Sequence, residues 1–585
     1  MLLTLFLWIW ITVFCYIYGE IAVDLLCKIF KFEKRERTTL PVLLILGICV
    51  LGIIAMYFSI LLKVGLTVNI ILIIIALIYI IFKRKILLSS LKAHILEVKK
   101  ISAFSAASFF IISLIILFET SVYIPKNFDT ALYHAQAIHW IEEYKAVPGL
   151  GNFHRNLAYD NSWFLPSALF SFSFLKIQSF HVLNGIFLLF GTFYFLSVTD
   201  EFFRKKNTFS GLISIFVLPI AIFLYTNFSS SPATDMPNSI IIWVIFILLA
   251  SKIEERQLHE FSLHSVIIVI LSSFLITIKL SGAPLFLFVI YIIMYELISG
   301  KKRALTLILI CTLIILPWII RNVIISGYAV YPVLLTGIFN VDWKIPDYSV
   351  LSDITGIKIW SFPIDNLPVY KYMPLWLKGL NIQYRFVIWP LFMLSLSSLL
   401  YYLTLLILNT KKLGFLVERY NCYLICYIIA FVGTIFLFYT APDVRYGAGL
   451  FSVFSILVFL PVLASIMEKH KNLLFLSKIY PLLLIIFIIA FEIFLFNRYF
   501  YAHRDLTFLR DNISDIKKRI LIPADYGKSQ AGVTEYSLGK NFKFFVPNVI
   551  SARCWYDPFP STAEINRGLE LRTGNIEDGF RIKKP

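Results

Sequence analysis

Ile70-Ile71-Leu72-Ile73-Ile74-Ile75-Ala76-Leu77-Ile78-Tyr79-Ile80-Ile81-Phe82 runs straight into Lys83-Arg84-Lys85. With its flanks, the apolar run is long enough to cross roughly 30 Å of hydrocarbon as a helix. The basic triplet marks the end that stays in the cytoplasm, where the Lys and Arg of short connectors accumulate. Leu482 to Phe496 is a second run of this kind. Further basic clusters fall in short connectors at Lys28 to Arg37, Arg204-Lys205-Lys206, Lys301-Lys302-Arg303, Lys411-Lys412 and Lys469 to Lys471. Of 585 residues, 59% are hydrophobic and 15% charged, with mean hydropathy +0.81. A soluble domain carries about 25% charged residues. The chain reads as an all-α polytopic membrane protein.

The net charge of +18 does not point to nucleic acid, because the basic residues sit in the connectors and so report topology. The seven cysteines make no disulfide framework or zinc-like spacing: most lie in or beside apolar spans, and Cys554 alone falls in a polar region. Leu2 to Tyr18 has no basic start and no small-residue cleavage site, so a retained helix is expected rather than a signal peptide.

Anchored on the basic connectors, the pattern predicts about fourteen membrane helices. Four of them, near 2–24, 39–60, 67–82 and 101–119, precede a long outer loop at about 120–178. Six more lie near 181–198, 208–226, 237–251, 263–280, 282–299 and 303–320, before a second outer loop at about 321–385. The last four, near 386–408, 421–440, 448–467 and 477–496, lead to an outer tail. The expected divisions are N-terminal transmembrane helices at 1–100, a transmembrane core at 101–496 and a small C-terminal extracytoplasmic module at 497–585. In the first loop, Asp129 to Lys145 reads as an amphipathic surface helix. Leu132, Ala135, Ile138 and Ile141 form its apolar side, Gln136, His139, Glu142 and Glu143 its polar side, and Pro148-Gly149 follows its end. In the tail, Arg519-Ile520-Leu521-Ile522 and Phe542-Lys543-Phe544-Phe545-Val546 look like short β runs.

Asp129, Asp235, Lys279, Arg321, Asp443 and Arg445 all fall at the same, extracytoplasmic, side, each counted from its own nearest basic connector. A carboxylate at the bilayer rim is costly unless something needs it. Each of these residues has a plain reading as well. Asp129 and Asp235 can cap the helices that follow them, Lys279 and Arg321 can snorkel to the headgroups, and Asp443 can pair with Arg445. His134 and His139 are five residues apart, about 140° around a helix, which does not suit a shared zinc ion.

Phe128-Asp129-Thr130-Ala131-Leu132-Tyr133-His134 resembles the acidic segment that opens the first outer loop of GT-C superfamily membrane glycosyltransferases. Ser231-Pro232-Ala233-Thr234-Asp235-Met236-Pro237 is similar to their second acidic site. Ile278-Lys279-Leu280-Ser281, Pro317-Trp318-Ile319-Ile320-Arg321-Asn322 and Asp443-Val444-Arg445-Tyr446 resemble their further outer-end segments. The chain as a whole is also similar to a group of uncharacterised bacterial multi-spanning membrane proteins, through Tyr133-His134 to Trp140, Val147-Pro148-Gly149 and Cys554-Trp555. Two departures stand out. Asp129 and Asp235 are single acids rather than a DxD or ExD pair, and about four spans precede the first acidic loop where that superfamily usually has one.

The resemblance implies a GT-C-like bundle in a bacterial inner membrane, with its site facing the periplasm or exterior. The donor would be a polyprenyl-phosphate-linked sugar and the acceptor a hydroxyl on a glycan, lipid or protein. Transfer would invert the sugar and serve cell-envelope glycan assembly. Asp129 is then expected as general base and Asp235 as its support, through the acceptor or through a divalent cation, Mg or Mn, whose use stays open. Arg321, Arg445 and Lys279 would hold the lipid phosphate, with Tyr133, His134, Asn322, Asp443 and Tyr446 lining the substrate site. A polysaccharide polymerase or ligase, and a membrane transporter or flippase, remain as alternatives.

Overall fold

The computed structural model describes residues 1–32, 38–205, 209–258, 260–361, 375–380, 382–408, 411–469, 479–480, 482–490, 493, 517–527, 532–539, 542–548 and 553–583. Among them, 12 helices are long and apolar enough to cross a membrane. The chain is a multi-pass helical membrane protein. Leu263–Ile278, expected as a full span, is a shorter apolar helix packed inside the bundle. The span expected near 477–496 lies largely outside the described residues.

The innermost helix is Asp235–Glu254, whose apolar window is 94% buried, whereas that of Leu66–Val98 is 22% buried and faces outward. A helix apolar all round has no solvent face to offer and packs inside; Trp243 and Phe246 on this helix are fully enclosed. Helices Leu2–Ile29 and Leu40–Leu61 cross closely at Gly19 and Gly47. A Cβ on Gly47 would stand 1.9 Å from the carbonyl oxygen of Cys15. Without hydrophobic drive between helices in lipid, small residues at the crossing are what allow close backbone packing.

The spans give the bundle two chemically distinct ends. At one, the Glu254 carboxylate accepts from the Phe209 and Ser210 amides and from Ser210 Oγ (2.6 Å), capping the helix Phe209–Tyr225. Nearby, Asp200 accepts from Ser105 Oγ at 3.1 Å, and Phe30, Phe32 and Arg303 gather on the Phe261 ring. This is the end of the basic connectors. The other end carries the two long loops and the described part of the tail.

Several expectations need correction. The helix does not stop at Lys83-Arg84-Lys85. It kinks at Lys83 (φ −115°, ψ 17°) and continues to Val98, burying Ser90 and His94. Arg321 and Asn322 lie inside the spanning helix Arg303–Ser326 rather than at the start of a loop. Arg519-Ile520-Leu521 is helical and not a strand. Phe542–Pro547 is a strand, paired antiparallel with Val533–Leu538, and Leu569–Leu571 pairs with Phe580–Ile582.

The surface helix is Ala135–Glu143, entered through a π-helical turn at Thr130–His134. Most of its polar side is covered by the tail, while Glu143 stays exposed and pairs with Lys63 at 3.3 Å. Gln136 and Glu142 are buried, and the His139 ring is stacked between those of Tyr556 and Phe559, 3.9 Å from each. The tail strands add a second apolar cluster, in which Phe542, Phe544, Leu569 and Phe580 pack on Trp140, Val147, Leu150 and Phe153. Gly149 seats them: its φ is +64°, and a Cβ there would meet the Phe580 carbonyl oxygen at 2.1 Å. Only glycine satisfies both demands.

Candidate functional site

Asp129 follows Asn127, whose side-chain oxygen accepts the Asp129 amide at 2.9 Å. With the turn made by Asn127, the Asp129 carboxylate makes no capping bond to the turn that follows. It meets the Arg445 guanidinium instead, at 2.9 Å. Asp235 is the first residue of the innermost helix and likewise caps nothing through its side chain. Its two oxygens face Lys279 Nζ, in close contact, and Arg445 Nε at 3.6 Å. The plain reading of both acids as helix caps is therefore replaced by ion pairing.

Lys279 joins the buried helix Leu263–Ile278 to the short turn Leu280–Leu285, and its ammonium lies 4.0 Å over the Tyr446 ring. Burial draws it below its usual pKa, and Asp235 works against that draw. Asp443 does not pair with the Arg445 side chain. It accepts the Arg445 amide at 2.8 Å and so caps the helix Val444–Lys469. Burial raises its carboxyl. The Arg445 guanidinium, freed from Asp443, lies against the Tyr446 ring, donates to Tyr446 Oη (2.8 Å) and bridges Asp129 and Asp235. Tyr133 and His134 belong to the π-helical turn that follows Asp129. Burial pulls His134 down to about 4 despite Asp129 and Asp235, so it stands neutral; its Nδ1 is 3.4 Å from Thr130 Oγ1, which in turn meets Ser231 Oγ at 2.6 Å.

Two acids and two cations from four separate segments thus converge at one end of the bundle, with Tyr133, His134, Asp443 and Tyr446 around them. Arg321 and Asn322 do not join them. Arg321 grips Asp160 with Nη2 at 2.9 Å and Nε at 3.2 Å, and donates to Ser59 Oγ at 2.7 Å, with both charged partners buried. Asn322 donates to the Trp318 carbonyl of its own helix at 2.9 Å and accepts the Tyr331 amide at 3.4 Å. A pocket of about 30 Å³ beside Arg321, lined by Trp140, Tyr144, Asp160 and Phe164 among others, has room for waters only.

The donor set does not suit a divalent cation. Asp129 and Asp235 already face Arg445 and Lys279, whose charges would repel a metal held between the acids. Among the described residues, no group of three or more His, Cys, Asp or Glu could hold one.

Asp160 and Tyr384 were not legible from the sequence. Asp160 is a lone acid in the long loop, and only the fold shows that it neutralises Arg321. Tyr384 begins a span far along the chain yet lies near enough to Asp235, Asp443 and Arg445 to sense their charges.

Residues 1–452 match a family described as Domain of unknown function (DUF8201), so the chain belongs to that family. The match contains every residue of the cluster. No curated protein and no solved structure matches the chain.

Proposed function

We propose that this protein is a membrane glycosyltransferase. It transfers a sugar from a polyprenyl-phosphate-linked donor to an acceptor hydroxyl on a glycan, lipid or protein, at the extracytoplasmic face of a bacterial inner membrane, in cell-envelope glycan assembly. The observation that carries this reading is the convergence of Asp129, Asp235, Lys279 and Arg445 at the bundle end opposite the basic connectors. The positive-inside rule assigns that end to the outside. Charges at helix ends suit a reaction at the membrane surface better than passage through the midplane, where a transporter places its site.

In the arrangement described, the acids and cations neutralise one another. The phosphodiester of the donor carries one negative charge, gains a second as the sugar leaves, and competes with both carboxylates for Arg445 and Lys279. When it takes Arg445, the Asp129 carboxylate is released from its ion pair and its oxygens are free to meet the acceptor hydroxyl. Asp129 then removes the proton from the acceptor hydroxyl as that oxygen attacks the anomeric carbon. The bond from anomeric carbon to phosphate oxygen breaks, its electron pair leaves with the phosphate, and Arg445 and Lys279 offset the charge that develops there. Attack opposite the leaving group inverts the sugar. Asp235 keeps Lys279 and Arg445 in place, and Tyr446 stacks beneath both.

The test is reconstitution of the full chain in proteoliposomes with a polyprenyl-phosphate sugar. Asp129→Asn should lower transfer by about 10²- to 10⁴-fold, yet bind polyprenyl phosphate at least as tightly as the unmodified chain because a competitor for Arg445 is gone. Transfer at the unmodified rate in that variant would remove Asp129 as the base. Polyprenyl phosphate that binds equally well without Arg445 would remove the phosphate site.

A further inference from the structure

Of the four charged residues in the cluster, Asp235, Lys279 and Arg445 sit at the ends of helices that belong to the bundle. Asp129 alone stands on an outer turn. A general base must come within about 2.6–3.2 Å of the proton it takes, and a misplacement of 1 Å can lower a rate about 100-fold. Something must therefore hold that turn.

The residues that hold it are distant in the chain. The Trp555 amide donates to the carbonyl of Ala131, inside the π-helical turn, at 2.7 Å. The Arg553 guanidinium lies 4.5 Å over the ring of Phe128, next to Asp129. One turn further on, Gln136 is fully buried, and its amide nitrogen donates to the carbonyls of Trp555 (2.9 Å), Tyr556 (3.1 Å) and Pro558 (3.2 Å). Its oxygen accepts the Ser561 amide at 2.9 Å. A single side chain thus directs both its amide N–H groups and its oxygen to one stretch of tail backbone. Glu142 adds Tyr556 Oη at 2.6 Å, and His139 adds the stack between Tyr556 and Phe559.

We infer that residues 553–561 are a working part of the site, with Gln136 as the positioning residue through which this tail segment fixes the Asp129 turn against Arg445. The inference rests on the reading of Asp129 as a base on the acceptor. It assigns the tail a role in the rate of transfer and none in donor binding, because Arg445 and Lys279 are held by the bundle.

The experiment uses the full chain in nanodiscs with Gln136→Met, which keeps the volume and removes all four hydrogen bonds, beside Gln136→Ala. Amide hydrogen exchange over 128–136 and 553–561 should rise about tenfold or more, with the Asp235–Glu254 helix unchanged. In steady-state transfer, kcat should fall by about 10- to 100-fold while the donor KM and polyprenyl phosphate binding stay put. Unchanged exchange over 128–136, or a parallel loss of kcat and donor affinity with exchange raised across the spanning helices, would overturn the inference. If the unmodified chain transfers no sugar, the functional reading fails, and the exchange data alone decide whether the tail holds the turn.

Discussion

Arg445 occupies the second position of a helix that starts at Val444, where the helix dipole disfavours a cation by about 0.3–1 kcal/mol. Nothing in local structure asks for arginine there; Asp129 and Asp235 do. Arg321 is the reverse case. Its buried pairing with Asp160 makes it a residue of the fold. Arg321→Ala should destabilise the protein by about 3–5 kcal/mol, since it leaves Asp160 buried without a partner. The double change Arg321→Met with Asp160→Asn should recover much of that loss and leave polyprenyl phosphate binding intact, as thermal unfolding and a binding titration on the same samples would show. Loss of phosphate binding in the double variant would return Arg321 to the site. That the two arginines would separate in this way was not legible in the sequence, where each is simply a cation at an outer helix end. The partners that tell them apart are 161 residues away for Arg321 and on two different segments for Arg445.

Among the elements, the crossing of the first two helices depends on Gly47, whose missing Cβ leaves room for a backbone oxygen rather than for a movable side chain. Gly47→Ala should therefore force the helices apart and lower stability by about 1–3 kcal/mol, read as a fall in Tm; an unchanged Tm would show that the crossing relaxes freely. The surface helix and tail carry a pH dependence. Burial raises Glu142 from its ordinary 4.5 to about 7, so the docked state favours its protonated form. That contribution is complete below the ordinary value and is lost as pH rises through about 7. Protection of 553–561 from hydrogen exchange, corrected for the intrinsic rate, should fall between about pH 4.5 and pH 7, and Glu142→Gln should flatten that fall. The same profile in the variant would assign the effect to another group. The amphipathic pattern of 135–143 was legible in the sequence. The partner of its polar side was not, because a buried polar face and a wetted one have the same periodicity.

At the scale of the whole molecule, the two-ended bundle makes a prediction about sidedness. Leu335 is exposed at the end that carries the cluster, and Lys301 is exposed at the end of the basic connectors. In intact cells, Leu335→Cys should react with a membrane-impermeant thiol reagent, and Lys301→Cys only after permeabilisation. The opposite pattern would place the site in the cytoplasm and remove an outer-leaflet donor. Both probes are read against the unmodified chain, since Cys422 is exposed.

The helical membrane class, the positions of most spans and the gathering of Asp129, Asp235, Lys279 and Arg445 at one end were all present in the amino-acid sequence. Hydropathy and the placement of Lys and Arg are local quantities, and a membrane converts them directly into span and orientation. Which acids cap and which pair, which arginine serves the fold, and which stretch of tail closes over the Asp129 turn were decided only by tertiary structure. Those outcomes depend on side chains hundreds of residues apart competing for the same few ångströms, and no local pattern records who wins.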